Sequence, residues 1–318
     1  MELSTGLPGS GGDLSPVIAG ARRVFCCHRA QLTGNHPPNS LAAIQESVAA
    51  GAPRLEIDIR FLADDSLMVV HDRSLPGVSG ALERIDMVDR AAAQALHLRA
   101  TGTQPCFLEE VVEVMAPFET LLQVDLKLMR PLTTSRLERL ANALAPLGDR
   151  VLIGSQGYWN LQMLAAKGLP VAFDPTLQWH YFPGRKGEGL SPARLGLHGL
   201  WDDATIAHTP AVAFDHYIQS RVTDLLSLVE GVREWMVDSR TLLYIASLGV
   251  RLGELLASRG VALAAWTLRD EGAEASTAKL ASLFDLGTTT VITDHPLLLA
   301  GYARALSVSP PLGPGVAV

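Results

Sequence analysis

The chain has 318 residues, of which 48% are hydrophobic and 19% charged, and its formal net charge is −7. This composition is typical of one large globular domain or two average ones, and it argues against a general nucleic-acid binder, which would carry a basic face. The three cysteines form neither a disulfide framework nor a structural zinc motif, so we expect buried, reduced thiols.

The two ends of the sequence differ in composition from the middle. Residues 1–20 are rich in Gly, Ser and Pro and lack the features of a secretory signal, so we expect a flexible leader. Residues 303–318 are expected to form a flexible tail for the same reason. No run of 18 apolar residues is present. We therefore expect a soluble, cytoplasmic protein with one domain at 21–302.

Between these ends, short apolar segments alternate with longer segments of helical periodicity. The predicted strands are Val24–His28, Leu55–Phe61, Leu67–His71, Leu121–Leu128, Val151–Ser155, Val171–Asp174, Val261–Leu268 and Thr290–Thr293. The predicted helices are Asn39–Ala50, Phe107–Ala116, Thr134–Leu147, Trp159–Lys167 and Leu252–Arg259. Strands that alternate with helices of this length predict βαβ units and a parallel sheet.

The number of strands favours a closed barrel. Seven of these eight predicted strands are candidates for barrel staves, and the eighth stave is either Ala211–Asp215 or Trp235–Val237. We therefore predict an α/β fold, a (β/α)8 TIM barrel with a small insertion after the second strand, at about 72–106. An open doubly wound sheet is the alternative. It usually has a Gly-rich turn after the first strand, where this chain has His28 and Arg29.

Two acidic side chains share one face of the second predicted strand. Side chains alternate along a strand, so Glu56 and Asp58 point to one side and their apolar neighbours to the other. In a barrel, the apolar side packs against helices and the carboxylates point inward. Two carboxylates about 4 Å apart repel by roughly 4 kcal/mol at an effective dielectric of about 20, a cost that a metal or a basic partner removes. An exposed edge strand with solvated acids is the alternative.

The strand Leu121–Leu128 repeats this pattern, with Asp125 and Lys127 on one face. Together with Glu56 and Asp58, it supplies three negative charges, which one divalent cation and Lys127 would neutralise. Ligation by oxygen alone favours Mg²⁺, Ca²⁺ or Mn²⁺ over zinc. The sequence therefore predicts a metal site on these two strands.

Two histidines and an arginine lie at predicted strand ends. His28 ends the first strand and His71 ends Leu67–His71. Polar residues at the C-terminal ends of barrel strands form the active sites of TIM barrels. Since oxygen ligands are available for the metal, both imidazoles are free to transfer protons. Arg29 can bind phosphate oxygens in pairs. Structural hydrogen bonds and a surface ion pair are the alternative roles.

Eight short motifs follow one another in order along residues 22–300. They are His28-Arg29, Pro37-Pro38-Asn39-Ser40, Gly51-Ala52, Glu56-Ile57-Asp58, Val69-Val70-His71-Asp72, Asp125-Leu126-Lys127, Trp266-Thr267 and Thr293-Asp294-His295-Pro296. In this order, they resemble the glycerophosphodiester phosphodiesterase family, a group of phospholipase C-like TIM barrels.

The resemblance implies hydrolysis of a glycerophosphodiester to glycerol 3-phosphate and an alcohol, with Mg²⁺ or Ca²⁺ as cofactor. It implies a small-molecule or lipid-derived substrate, no nucleic-acid partner and no stable membrane insertion. The implied site residues are His28 and His71 as general acid and base, Glu56, Asp58 and Asp125 as metal ligands, Arg29 and Lys127 as phosphate contacts, and Trp266 near the glycerol.

The sequence departs from the family pattern around the implied metal and phosphate. Ala30 stands where the family usually has Gly, Pro38 where it has Glu, and Asp125 where it has a Glu ligand. An Arg-Thr-Thr run that usually follows the second histidine is replaced by Ser74-Leu75-Pro76-Gly77. We therefore expect the substrate to differ from that of the family's familiar members.

Three other functions compete with this interpretation. A lysophospholipase D-like or sphingomyelinase D-like enzyme would form a cyclic phosphate, and the aromatic side chains within Pro175–Glu234 could hold its acyl chain. A non-catalytic barrel that binds phosphorylated ligands is supported only by Ala30 and Pro38. A zinc amidohydrolase would have a His-x-His pair on the first strand, where this chain has only His28.

Overall fold

A computed structural model describes residues 13–77, 81–177, 214–247 and 249–307 of the chain. Its strands are, in chain order, β1 (Val17–Ile18), β2 (Ala21–Arg22), β3 (Val24–Cys27), β4 (Arg54–Phe61), β5 (Leu67–Val69), β6 (Ser74–Pro76), β7 (Leu82–Arg84), β8 (Cys106–Phe107), β9 (Leu121–Leu126), β10 (Val151–Ser155), β11 (Val171–Phe173), β12 (Glu234–Asp238), β13 (Ala262–Leu268) and β14 (Thr290–Thr293). Its α-helices are α1 (Leu41–Ala49), α2 (Arg90–Thr101), α3 (Leu108–Met115), α4 (Thr134–Leu144), α5 (Tyr158–Ala166), α6 (Phe214–Ser227), α7 (Ser239–Ser247), α8 (Leu252–Ala257), α9 (Ala273–Asp285) and α10 (Pro296–Ala305).

Eight parallel strands form a closed barrel, namely β3, β4 and β9 to β14. Strand β3 pairs with β14 on one side and with β4 on the other, which closes the ring. The predicted (β/α)8 TIM barrel is therefore confirmed. The eighth stave is β12, so the candidate Trp235–Val237 is the correct one. Of the other candidate, residues 211–213 lie outside the described residues, and α6 begins at Phe214.

Strand β4 shows why this sequence forms a barrel wall. Leu55, Ile57 and Ile59 are fully buried in the core that the strands share with the helices. The alternate positions, which include Glu56 and Asp58, face the barrel interior. Because the side chains of a strand alternate, one apolar face and one polar face follow from the sequence alone.

Helix α1, which precedes β4, has local signals at both ends. The Ser40 side chain accepts a hydrogen bond from the backbone N–H of Ala43, so it caps the first turn. Gly51 follows the helix with a φ of 73°, a conformation that glycine adopts without strain. These two signals set the length of the helix and therefore the point at which β4 begins.

The chain between β4 and β9 leaves the barrel and returns to it. Strand β5 runs antiparallel to β4, and β8 runs antiparallel to β5. Between them lie the hairpin of β6 and β7, a 3-10 turn at Ile85–Met87, and α2. Leu75, Ile85, Leu96 and Phe107 are buried in a separate small core in this region. The predicted insertion after the second strand thus has secondary structure and a core of its own.

A buried ion pair crosses the barrel interior near the N-terminal ends of the strands. One nitrogen of the Arg54 guanidinium lies 2.5 Å from Oε1 of Glu234, and another lies 3.0 Å from Oε2. Arg54 also donates to Oε1 of Gln123 and to the hydroxyl of Thr290. Burial alone would lower the pKa of Arg54, but Glu234 raises it overall. We call these four residues the barrel floor.

Both predicted flexible ends reach into the described fold. Strand β1 lies within the predicted leader and pairs with β2. Leu14 and Ile18 are buried, with 6% and 3% of their surface exposed. Helix α10 extends to Ala305, into the predicted tail. The bounds of the leader, the domain and the tail stay predictions.

The three cysteines are free and buried, as predicted. Burial raises the pKa of Cys27 and of Cys106 to about 12. Among the described residues, no helix combines the length and the apolar character that crossing a membrane requires.

Candidate functional site

Three carboxylates converge in the mouth of the barrel, above the floor. Glu56 and Asp58 come from β4, and Asp125 comes from β9, where it pairs in register with Asp58. One oxygen of each carboxylate lies within 4.8 Å of the others. Glu56 and Asp58 are buried, whereas Asp125 is partly exposed. We call this group the acid cluster, and strand alternation alone had indicated all three of its members.

Two cations contact the acid cluster. Nζ of Lys127 lies 2.5 Å from Oδ2 of Asp125 and 3.1 Å from Oδ1 of Asp58. Nε of Arg29 lies 3.3 Å from Oδ2 of Asp58. The structure thus adds Arg29 to the charge neutralisation that the sequence had indicated for Lys127. With two cations against three carboxylates, the cluster has an excess of one negative charge when all three carboxylates are ionised.

The surroundings shift the pKa values of the two buried acids in opposite directions. Burial and the negative charge of Asp58 raise the pKa of Glu56 to about 8. Burial would also raise the pKa of Asp58, but Lys127 and a hydrogen bond from Asn39 lower it overall. Glu56 therefore carries most of the electrostatic cost of the cluster. A divalent cation beside it would remove that cost.

The loop after β3 shapes the site with backbone conformations that are rare outside glycine. Arg29, Ala30 and Asn39 have φ values of 51°, 59° and 60°. The backbone N–H of Arg29 donates to Oε2 of Glu56 at 2.8 Å. The side chain of Asn39 donates to Oδ2 of Asp58 at 2.9 Å and accepts from the Asp58 N–H at 3.1 Å. Such backbone strain is common where a loop positions functional groups.

His28 lies beside the acid cluster at the end of β3. Its Nε2 is 3.9 Å from Oε2 of Glu56, and its Nδ1 is 2.6 Å from Oδ1 of Asp294. Burial alone would lower the pKa of His28, but Asp294 and Glu56 raise it overall. Asp294 had no role assigned from the sequence. Its position directly after a barrel strand was the signal that could have identified it.

His71 reaches the mouth by a route that the sequence did not indicate. It does not end a barrel strand, because β5 runs antiparallel to β4 and returns along it. The backbone N–H of Val70 donates to the carbonyl of Asp58 at 2.9 Å, which brings the next residue level with the acids. Nδ1 of His71 lies 2.9 Å from Oδ1 of Asp72. The charge of His71 is among those that lower the pKa of Asp58.

Two further side chains extend this site. Trp266 is half-buried on β13 and packs against the apolar cluster inside the barrel. Arg60 lies two residues after Asp58 on the same face of β4. It donates to the carbonyl of His71 at 2.9 and 2.7 Å and to the carbonyl of Lys127 at 3.1 Å. Arg60 was not among the predicted site residues, although the same strand alternation would have identified it.

The donor set of the acid cluster fits a hard divalent cation. Within the described residues, the group consists of carboxylates alone, without histidine or cysteine. Mg²⁺ and Ca²⁺ prefer oxygen ligands of this kind. The raised pKa of Glu56 is the second observation that agrees with a cation at this point.

Part of the chain is similar to a known protein family. Residues 28–142 match the model of the glycerophosphoryl diester phosphodiesterase family. The matched range includes five of the predicted site residues, namely His28, Glu56, Asp58, His71 and Asp125.

Two curated relatives in this family match part of the chain. A Mycobacterium tuberculosis protein named "Probable glycerophosphodiester phosphodiesterase 2" is 31% identical over 138 residues, which are 42% of this chain and 48% of that protein. The glycerophosphodiester phosphodiesterase of Caldanaerobacter subterraneus is 25% identical over 138 residues, 40% of this chain and 56% of that protein. The match thus spans about half the length of these curated relatives.

Solved structures of the family share the fold. A glycerophosphodiester phosphodiesterase from Parabacteroides distasonis has a TM-score of 0.61 and 15% identity, over 88% of this chain and 96% of that one. The Oleispira antarctica phosphodiesterase in complex with the product sn-glycerol-3-phosphate has a TM-score of 0.57 and 15% identity, over 93% of this chain and 100% of that one. At this identity, the likeness establishes the barrel fold alone.

Proposed function

We propose that the chain is an enzyme that hydrolyses a glycerophosphodiester to glycerol 3-phosphate and an alcohol, with one divalent cation, Mg²⁺ or Ca²⁺. The charge of the acid cluster is the observation that supports this most. With all three carboxylates ionised, the cluster has an excess of one negative charge. A divalent cation would convert this into an excess of one positive charge, which matches the single negative charge of a phosphodiester.

In this proposal, Glu56, Asp58 and Asp125 hold the cation, while Arg29 and Lys127 contact the phosphate. When bound, the cation supplies a Lewis acid that withdraws electron density from a phosphoryl oxygen. Lys127 has three N–H donors and only two carboxylate contacts, so one donor is left for a substrate. The side chain of Arg29 is 29% exposed and approaches Asp58 through Nε, which leaves its terminal nitrogens for phosphate oxygens.

We assign general acid and base catalysis to His28 and His71. Nδ1 of His28 is held by Asp294, so its Nε2 is the nitrogen on the side of the acid cluster. Nδ1 of His71 is held by Asp72 in the same way. Each carboxylate would stabilise the imidazolium that forms when its ring takes a proton. One histidine takes the proton of the attacking hydroxyl of the substrate's glycerol, and the other gives a proton to the leaving alcohol. Water then opens the resulting cyclic phosphate to glycerol 3-phosphate.

The relatives and the interior of the barrel support the proposed substrate class. The Oleispira antarctica phosphodiesterase binds sn-glycerol-3-phosphate as its product, which supports a glycerophosphodiester as the substrate of this chain. We assign Trp266 to the pocket that receives the glycerol. A small-molecule or lipid-derived diester, a role in lipid metabolism, no nucleic-acid partner and a cytoplasmic location complete the proposal.

Phosphorus NMR of a glycerophosphodiester incubated with the protein tests this function. We expect glycerol 3-phosphate as the product, loss of turnover in EDTA, and recovery with Mg²⁺ or Ca²⁺. His28→Ala and His71→Ala should each lower kcat/KM by about 100- to 10,000-fold, the usual contribution of a general acid or base. His97→Ala is the matched control, because His97 is half-buried on α2 and contacts the carbonyl of Thr103.

Other products would support the alternatives. A cyclic phosphate as the final product would support the lysophospholipase D-like or sphingomyelinase D-like enzyme. The aromatic residues that motivated this alternative, Trp179, Tyr181, Phe182 and Trp201, lie outside the described residues. Thermal stabilisation by metal without turnover of any diester would support a non-catalytic barrel. Full activity of both histidine variants would contradict the acid and base assignment.

A further inference from the structure

A cavity with a volume of about 270 Å³ opens beside the acid cluster. Asp125 and Lys127 line it, so it is continuous with the proposed phosphate position. Its other charged lining residues are Arg60, Arg73 and Arg130, opposed by Asp86. We call it the arginine cavity. In a chain with a net charge of −7, this concentration of arginines at one cavity is an exception to the overall balance.

The arginines of this cavity exceed the carboxylates that could pair with them. Within the part of the chain that the structure describes, Arg60 donates only to backbone carbonyl groups. Arg130 is exposed, and its guanidinium has no ion pair with the residues that the structure describes. Asp86 already accepts two hydrogen bonds from Arg84, at 2.8 and 2.5 Å, and lies 3.9 Å from Arg73. An anion from outside the chain would therefore find unpaired guanidinium groups here.

The apolar part of the lining indicates what kind of group would carry such an anion. Met129 is 52% exposed and lines the cavity together with Leu128. Arginine donors beside an exposed thioether suit a short aliphatic chain that ends in a charged group. The cavity lies next to Lys127, so the alcohol half of a diester bound there would extend into it.

We infer that the arginine cavity binds an anionic group, a carboxylate or a phosphate, at the far end of the leaving alcohol. This inference rests on the proposed phosphodiesterase function and names the class of diester that the site selects. An alcohol that carries a quaternary ammonium, such as choline, would be repelled by the same arginines.

Two glycerophosphodiesters of equal shape test the inference, one of 3-hydroxypropanoate and one of 3-hydroxypropanamide, compared by kcat/KM. The wild type should prefer the carboxylate by about tenfold, the lower range for a hydrogen bond to a charged group. Arg73→Gln combined with Arg130→Gln should bring this ratio close to one. Arg259→Gln, an exposed arginine at the end of α8, is the control and should keep the wild-type ratio. The wild-type preference should also shrink in high salt.

Binding of the same two diesters to the His28→Ala variant, measured by calorimetry, separates this inference from the proposed function. A wild-type chain that hydrolyses neither diester would overturn the function, and the ratio of the two Kd values would still decide whether the cavity selects an anion. Equal kcat/KM and equal Kd for the two diesters would overturn the inference while the function stands. A carboxylate preference that survives the double substitution would also overturn it.

Discussion

The floor and the mouth of the barrel lie on the same strand but differ in how their charges are balanced. Arg54, Glu56 and Asp58 occupy alternate inward-facing positions of β4. On the floor, Arg54 meets Glu234 and both charges are paired. In the mouth, the acid cluster exceeds its cations by one charge. The floor is thus complete within the chain, whereas the mouth needs a ligand to complete it, as expected for the C-terminal face of a TIM barrel.

The largest effect on stability is expected at the floor. Glu234→Gln leaves the charge of Arg54 buried without a counter-ion, because only neutral acceptors remain around it. We expect the free energy of unfolding in urea to fall by about 3–5 kcal/mol. Glu254→Gln, which removes an exposed partner of Arg251, should cost less than about 1 kcal/mol. Similar losses for the two variants would contradict the role of the floor.

In the mouth, removal of a charge is expected to raise the free energy of unfolding. Glu56→Gln removes one of three neighbouring negative charges, so in EDTA it should raise the free energy of unfolding by about 3 kcal/mol, the repulsion of two unit charges within 4.8 Å of each other at an effective dielectric of about 20. The measurement belongs at pH 9, because the pKa of Glu56 is about 8 and the carboxylate is then ionised. The same variant should lose metal-dependent turnover. A loss of stability in EDTA would show that the acid cluster is balanced without a cation.

Asp174 extends the comparison to a neighbouring acid. It follows β11 and is 8% exposed. Its Oδ1 accepts from the N–H of Thr176 at 2.8 Å, and its Oδ2 accepts from Gln156 at 3.2 Å. Burial raises its pKa to about 7, since no cation contacts it among the described residues.

The pH dependence of stability should follow from this raised pKa. Below pH 7 the folded state binds a proton on Asp174 that the unfolded state does not yet bind, so stability rises as the pH falls. As the pH falls from 7 to about 4, the free energy of unfolding of the wild type should therefore rise relative to that of Asp174→Asn by about 1 kcal/mol per pH unit. Above pH 7 the difference between the two proteins should be constant. Urea unfolding of both proteins across this range measures it. Parallel pH profiles would contradict the assignment.

The smallest effect is expected where the loop after β3 departs from the family pattern. Ala30→Gly removes the strain of a left-handed backbone conformation, which would stabilise the fold by about 1–2 kcal/mol. It also removes a fully buried methyl group, which costs about 0.8 kcal/mol, and it increases the conformational entropy of the unfolded chain, which costs further stability. These effects nearly cancel, so we expect the free energy of unfolding to change by less than about 0.5 kcal/mol. A change above 1 kcal/mol in thermal or urea unfolding would show that Ala30 governs the geometry of this loop.

Much of the barrel and part of the mouth could be predicted from local pattern. Strand alternation placed Glu56, Asp58 and Asp125 on inward faces, and the structure brings them within 4.8 Å of one another. Arg60 obeys the same alternation and could have been included. Asp294 could not be assigned a role, because that role depends on its contact with His28, 266 positions away in the sequence.

The sequence by itself determined the alternation of apolar and polar faces, and with it the βαβ order and the carboxylates that point inward, because these depend on near neighbours along the chain. The tertiary structure alone decided which charges meet. It folded β5 back along β4 to bring His71 to the mouth, it paired Arg54 with Glu234 across the floor, and it placed three arginines with fewer carboxylates at the arginine cavity. Contacts of this kind depend on barrel closure, which joins residues that no local pattern relates.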